Sequence, residues 1–146
     1  MSGTKDLHQI VYISTATTAV GREEAIAQQM HFAENNKRRA ITGILLYRAG
    51  NFMQVIEGDK TVVRELYTKI EADPRHQDVV QLLDEPIVER AFPNWSMGME
   101  DLDSEETRAK PGWNAFLTTP LTAREFFGKP GKVKRLLDCF KHDNDT

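Results

Sequence analysis

Two β-rich runs separated by four residues set the frame of this chain. Ile41-Thr42-Gly43-Ile44-Leu45-Leu46-Tyr47 and Phe52-Met53-Gln54-Val55-Ile56 flank the break Arg48-Ala49-Gly50-Asn51. Runs so rich in β-branched and aromatic residues, so close together, predict an antiparallel hairpin. Strand side chains alternate, so Phe52, Gln54 and Ile56 share one face. Gln54 is then a primary amide between two large apolar side chains. Leaving a buried amide unpaired costs about 1–3 kcal/mol. Its donors and acceptor must therefore be met by other side chains or by a polar ligand.

The elements around the hairpin follow from pattern and punctuation. His8 to Ser14 reads as a first strand. After the polar stretch Thr15 to Gly21, a helix runs to about Asn36, with Ile26, Met30 and Ala33 as its apolar stripe. Glu23 and Glu24 open that helix and Lys37-Arg38-Arg39 close it, complementing its dipole. A second helix starts at Gly58-Asp59, with Asp59 as N-cap, and carries Val62, Leu66 and Ile70 at a spacing of four. Asp73-Pro74 stops it. Val79 to Leu83 and Ile87 to Glu89 suggest a fourth strand, bent near Pro86, and Trp95 to Glu100 a fifth.

The predicted order is βαββαββ. It implies an α+β fold: a ferredoxin-like five-stranded sheet with two helices on one face, over residues 1–100. Three of the six prolines, Pro111, Pro120 and Pro130, fall beyond it. Residues 101–146 read as a C-terminal helical extension, with short helices at Thr122 to Phe127 and Lys132 to Phe140. Its aromatics, Trp113, Phe116, Phe126 and Phe127, suit either a cover for the open face of the sheet or a partner surface.

Composition excludes several classes. The 146 residues fit one domain, and a net charge of −3 argues against a nucleic-acid footprint. The single cysteine, Cys139, permits neither an internal disulfide nor a thiolate zinc site. The amino terminus is too polar for a signal peptide, and no segment has the length of a membrane span, so a cytoplasmic protein is expected. No phosphate loop, nucleophile elbow or spaced His-Glu metal motif is present, and His8, His31, His76 and His142 are scattered. No enzyme is expected. Glu57-Gly58-Asp59 can be read as a paired carboxylate, but a capped strand-to-helix turn explains it better.

Other polar residues suggest a pocket. Tyr12 shares a strand face with Ile10 and Ser14. Asn35-Asn36 reads as a helix C-terminal pair, or as amides able to bond a planar heterocycle. Asp73-Pro74-Arg75-His76 reads as a helix stop, or as the rim of the same pocket. Trp95-Ser96-Met97 alternates an aromatic with a thioether and reads as core packing, or as neighbours of Gln54.

In their order along the first hundred residues, these segments resemble the BLUF family, sensors of blue light using flavin adenine dinucleotide. The resemblance rests on Ile10-Val11-Tyr12-Ile13-Ser14, Asn35-Asn36, Ile41 to Tyr47, Phe52 to Gly58, Asp73-Pro74-Arg75-His76 and Phe92-Pro93-Asn94-Trp95-Ser96-Met97-Gly98. It implies that Tyr12 and Gln54 form the photoactive pair, with Tyr12 the electron and proton donor to the flavin. Gln54 would then relay the proton and exchange its hydrogen bonds. It further implies flavin contacts from Asn35, Asn36, Gln54, Ile70, Arg75 and His76, with Lys69 a weaker candidate. Trp95 and Met97 would carry the signal outward. The cofactor would be FAD, with FMN or riboflavin as alternatives. The tail resembles that of short stand-alone members, implying a homo-oligomer or a separate downstream protein, and no nucleic acid or membrane partner. Phe32 and Gln28 depart from the family's pattern on the wall before Asn36. The rival class is a light-insensitive ferredoxin-like ligand-binding or oligomerisation module; a small flavin reductase or acylphosphatase-like enzyme is disfavoured by the lack of a placed catalytic arginine loop or nicotinamide site.

Overall fold

The computed structural model describes residues 6–16, 39–48, 50–72, 76–92, 98–101 and 120–145. Strand β1 (Leu7–Ala16) is followed by β2 (Thr42–Arg48) and β3 (Asn51–Asp59), then helix α1 (Lys60–Ala72). Next come β4 (His76–Pro86), the short β5 (Gly98–Asp101), and helices α2 (Ala123–Phe126) and α3 (Pro130–Asp145). The helix expected between Gly21 and Asn36 lies outside the described residues.

The strands form one sheet in the order β4-β1-β3-β2-β5. β2 and β3 pair antiparallel as a hairpin, with Leu45 opposite Gln54. On its other side β3 pairs antiparallel with β1, which sets Tyr12 directly opposite Gln54. β5 runs parallel to β2, Ile44 meeting Gly98. β3 is thus the central strand, buried without interruption from Phe52 to Gly58.

Alternation along β3 sorts the core into two layers. One face carries Ile10, Tyr12, Leu45, Phe52 and Ile56, covered by Val63, Leu66, Tyr67 and Ile70 of α1. These α1 residues recur every three or four positions, as one helical face requires. The Asp59 carboxylate accepts the Thr61 N–H at 3.2 Å and caps the helix, as the sequence predicts. The opposite face carries Val11, Ile13, Ile44, Leu46, Met53 and Val55, and packs with Phe126, Val133, Leu136 and Leu137 of α2 and α3. Phe126 is fully buried there, a burial that contributes about 1.5–3 kcal/mol. Phe127 is exposed, and Trp113 and Phe116 lie outside the described residues.

The fourth strand departs from expectation at both ends. It begins at His76 and stops at Pro86, so Ile87 to Glu89 are not strand. Its partner explains the stop. The Ile87 N–H bonds the Leu7 carbonyl at 3.0 Å, and β1 begins at Leu7, so no strand remains to pair. Two register shifts against β1 and a left-handed Asp78 (φ 53°) bend β4 along the sheet.

Candidate functional site

The Tyr12–Gln54 pair lies in the centre of the α1-covered face. Both side chains are buried, with 1% of Tyr12 and 6% of Gln54 exposed. The Tyr12 hydroxyl donates to Gln54 Oε1. The amide that looked anomalous in sequence is therefore bonded to the phenol that the register places opposite it. Ile10, Leu45, Phe52 and Ile70 surround the pair with apolar surface. In such surroundings a hydrogen bond is electrostatically stronger than in water, and its loss costs more.

A second tyrosine adjoins the first. The Tyr67 ring on α1 lies 5.6 Å from that of Tyr12, centroid to centroid, tilted by 60°. Such a tilted aromatic contact adds about 0.5–1.5 kcal/mol beyond its buried area. Burial pushes the Tyr67 phenol up to about 12, and the negative charges of Glu71 and Asp84 add to the effect. Tyr67 therefore keeps its proton throughout the physiological range.

The structure locates the remaining sequence candidates unevenly. Ile70 is buried on the covered face and Lys69, its neighbour on α1, is exposed. His76 opens β4, its backbone paired with Ala16 of β1. Asn35, Asn36, Arg75, Trp95 and Met97 lie outside the described residues, as do Gln28 and Phe32. Among the described residues no cluster of His, Cys, Asp or Glu could hold a metal ion, and no helix is long and apolar enough to cross a membrane.

Two polar constellations were missed in sequence. His8, buried on β1, bonds Asp84 of β4, which Arg64 of α1 also reaches at 3.4 Å. Burial raises the Asp84 carboxyl, but the His8 bond and the Arg64 and His8 charges outweigh it, leaving a net fall below the ordinary value. The second is Glu57, with 0% of its surface exposed. The sequence places it at the end of the hairpin strand, entering a capped turn; the structure keeps it on β3 and buries it on the face shared with Met53 and Val55. Like Gln54, Glu57 is a polar side chain at an apolar strand position.

The chemistry of the described wall suits a planar heterocycle. It offers apolar surface with a phenol and an amide converging on one point, the pattern of small-molecule sites that bury a ring and orient it with few polar groups. Comparison with known proteins gives the same direction. The model of the BLUF family, sensors of blue-light using FAD, matches residues 7–98. The photoactivated adenylate cyclase subunit beta of Euglena longa is 41% identical over 97 residues, 66% of this chain and 11% of that protein. The chain thus spans about a tenth of the length of the curated relatives it matches. The dark-state structure of BlrB, a BLUF protein, superposes with a TM-score of 0.75 at 34% identity, covering 95% of this chain and 98% of that one. A bacterial light-regulated adenylyl cyclase matches with a TM-score of 0.65 at 31% identity, over 94% of this chain and 35% of its own. Klebsiella pneumoniae BlrP1 with FMN and cyclic diGMP matches with a TM-score of 0.67 at 28% identity, over 94% and 35%. The chain belongs to the BLUF family, the sensors of blue light using FAD.

Proposed function

We propose that Tyr12 and Gln54 are the photoactive pair of this blue-light sensor. The observation that carries the reading is the buried bond from the Tyr12 hydroxyl to Gln54 Oε1 on an otherwise apolar sheet face. Bound FAD supplies light absorption and one-electron chemistry. Tyr12 is the electron and proton donor. Gln54 would relay the phenolic proton onward to the flavin along the bond it already accepts, and would rearrange its own donors and acceptor. An amide suits this task because it carries both kinds of group on one planar end. Net hydrogen-bond energies of about 1 kcal/mol suffice to bias a two-state element.

Ile70 packs on the ring from α1. Asn35, Asn36, Arg75 and His76 complete its polar contacts, and the exposed Lys69 reaches only its outer, phosphate-bearing part. Trp95 and Met97 compete for Gln54 and pass the change outward. Residues 1–100 form the sensor, a ferredoxin-like βαββαββ unit with both long helices on one face. Residues 101–146 form a helical extension on its other side. The chain signals through self-association or a separate cytoplasmic protein.

The test is optical. Protein loaded with FAD is illuminated with blue light and its visible spectrum followed into darkness. A reversible red shift of the flavin band is expected. A preparation that remains colourless after flavin reconstitution refutes the reading, and bound flavin without a reversible shift reduces it to a light-insensitive flavoprotein.

A further inference from the structure

Glu57 carries more than a turn requires. Its Oε1 accepts the Phe92 N–H at 2.7 Å and the Thr42 hydroxyl at 3.0 Å. Its Oε2 accepts the Ala91 N–H at 3.0 Å and Gln9 Nε2 at 3.4 Å. Four donors from three places in the chain fill both oxygens. Arg90 braces the same arrangement. Its guanidinium donates to the Thr42 hydroxyl at 2.8 Å, the Glu57 carbonyl at 3.1 Å and the Ala40 carbonyl at 2.8 Å. Ala40 is left-handed (φ 55°), a conformation alanine adopts only when its surroundings hold it there.

The placement of this cluster gives it meaning. Glu57 stands three residues after Gln54 on the central strand, so the two point to opposite faces. Gln54 joins β3 to Tyr12 of β1, while Glu57 joins β3 to the backbone just before the Trp95 and Met97 segment. We propose that Glu57 is a positioning residue of the light switch: its buried carboxylate clamps Ala91 and Phe92 to the strand that carries Gln54, so that a change at Gln54 reaches residues 90–92 on the far side of the sheet. The proposal rests on the reading of Gln54 as the switch. A carboxylate suits the task because each oxygen faces a backbone donor. The amide of a glutamine would turn its own N–H groups toward one of them.

The test is residue-resolved amide exchange on the FAD-bound full chain, in the dark and under steady blue light. In the wild type the Ala91 and Phe92 amides should change exchange rate by about fivefold on illumination. E57Q should exchange faster there in the dark and lose the light–dark difference while keeping the flavin red shift, and E57D, which retains a carboxylate, should recover part of the difference. A wild type that red-shifts while these amides exchange identically in light and dark overturns the proposal, as does E57Q that retains the full difference. A merely structural role for Glu57 raises dark exchange in E57Q without removing the light response. If the wild type shows no red shift, the photoreceptor reading has failed, and the clamp is then judged in the dark on Q54A. That substitution must alter Ala91 and Phe92 exchange when Glu57 is present and leave it unaltered in E57Q. Should E57Q fail to fold, the wild-type comparison and Q54A on its own decide.

Discussion

Gly43 offers the sharpest test of how the sheet holds Gln54 in place. It lies on β2 opposite Ile56, two residues before the Leu45–Gln54 pair. A Cβ added there would sit 1.9 Å from the Val55 carbonyl oxygen and 2.8 Å from its carbon. Ordinary contact is about 3.5 Å, so β2 and β3 would have to move apart by roughly 1.5 Å at the centre of the sheet. The obstacle is backbone, which no rotamer change relieves. The Gly43→Ala variant should therefore lose about 3–5 kcal/mol, a large part of the roughly 5–15 kcal/mol that holds such a domain together. Gly50 is the control: it is left-handed (φ 85°), yet a Cβ there meets nothing within 4 Å. Gly50→Ala should cost only about 1–2 kcal/mol, the backbone strain alone. Urea unfolding at fixed flavin loading measures both. With m near 1–3 kcal/mol/M, Gly43→Ala should lower the midpoint by more than about 1 M at unchanged m. A Gly43→Ala protein within about 1 kcal/mol of the wild type, or no weaker than Gly50→Ala, would refute the reasoning about close approach.

Three further outcomes follow from the same geometry. Tyr67 has a folded pKa raised from 10.0 to about 12, so its contribution to stability is full below pH 10 and is lost as pH rises toward 12. Tyr67→Phe should flatten that alkaline decline, which unfolding curves at several pH values read directly. Asp84 behaves in the opposite sense. Its carboxyl is lowered in the fold, so its contribution is present above its ordinary value of 3.8 and lost as pH falls below it. Asp84→Asn should make stability less sensitive to acid, and an unchanged acid limb would remove the His8–Asp84–Arg64 group from the account. Tyr67→Phe also leaves the ring contact with Tyr12 in place, so it should change stability at neutral pH by less than about 1 kcal/mol. A larger loss would mean that the hydroxyl, not the ring, holds α1 on the sheet.

Much of this arrangement was legible because it is local. Alternation placed Phe52, Gln54 and Ile56 on one face, and the spacing of Val62, Leu66 and Ile70 with a capping Asp59 located α1. The rest depends on contacts distant in sequence. Where β4 ends is set by the first residue of β1, which pattern along β4 does not contain. The burial of Glu57 at the end of its strand is not legible locally, because its partners Ala91 and Phe92 lie more than thirty residues on. The left-handed Ala40 could not be expected from its residue type, because Arg90, fifty positions away, holds its carbonyl. Sequence alone also could not order the strands, since a central β3 follows from two pairings at once.

The central claim is that the Tyr12 hydroxyl and the Gln54 amide work as one unit. The most direct measurement is the light-minus-dark visible spectrum of FAD-loaded wild type beside Tyr12→Phe, which removes one oxygen from the buried bond and keeps the ring. The wild type should give a reversible red shift of the flavin band, and Tyr12→Phe should bind flavin and give none. An unchanged red shift in Tyr12→Phe would contradict the role assigned to the pair.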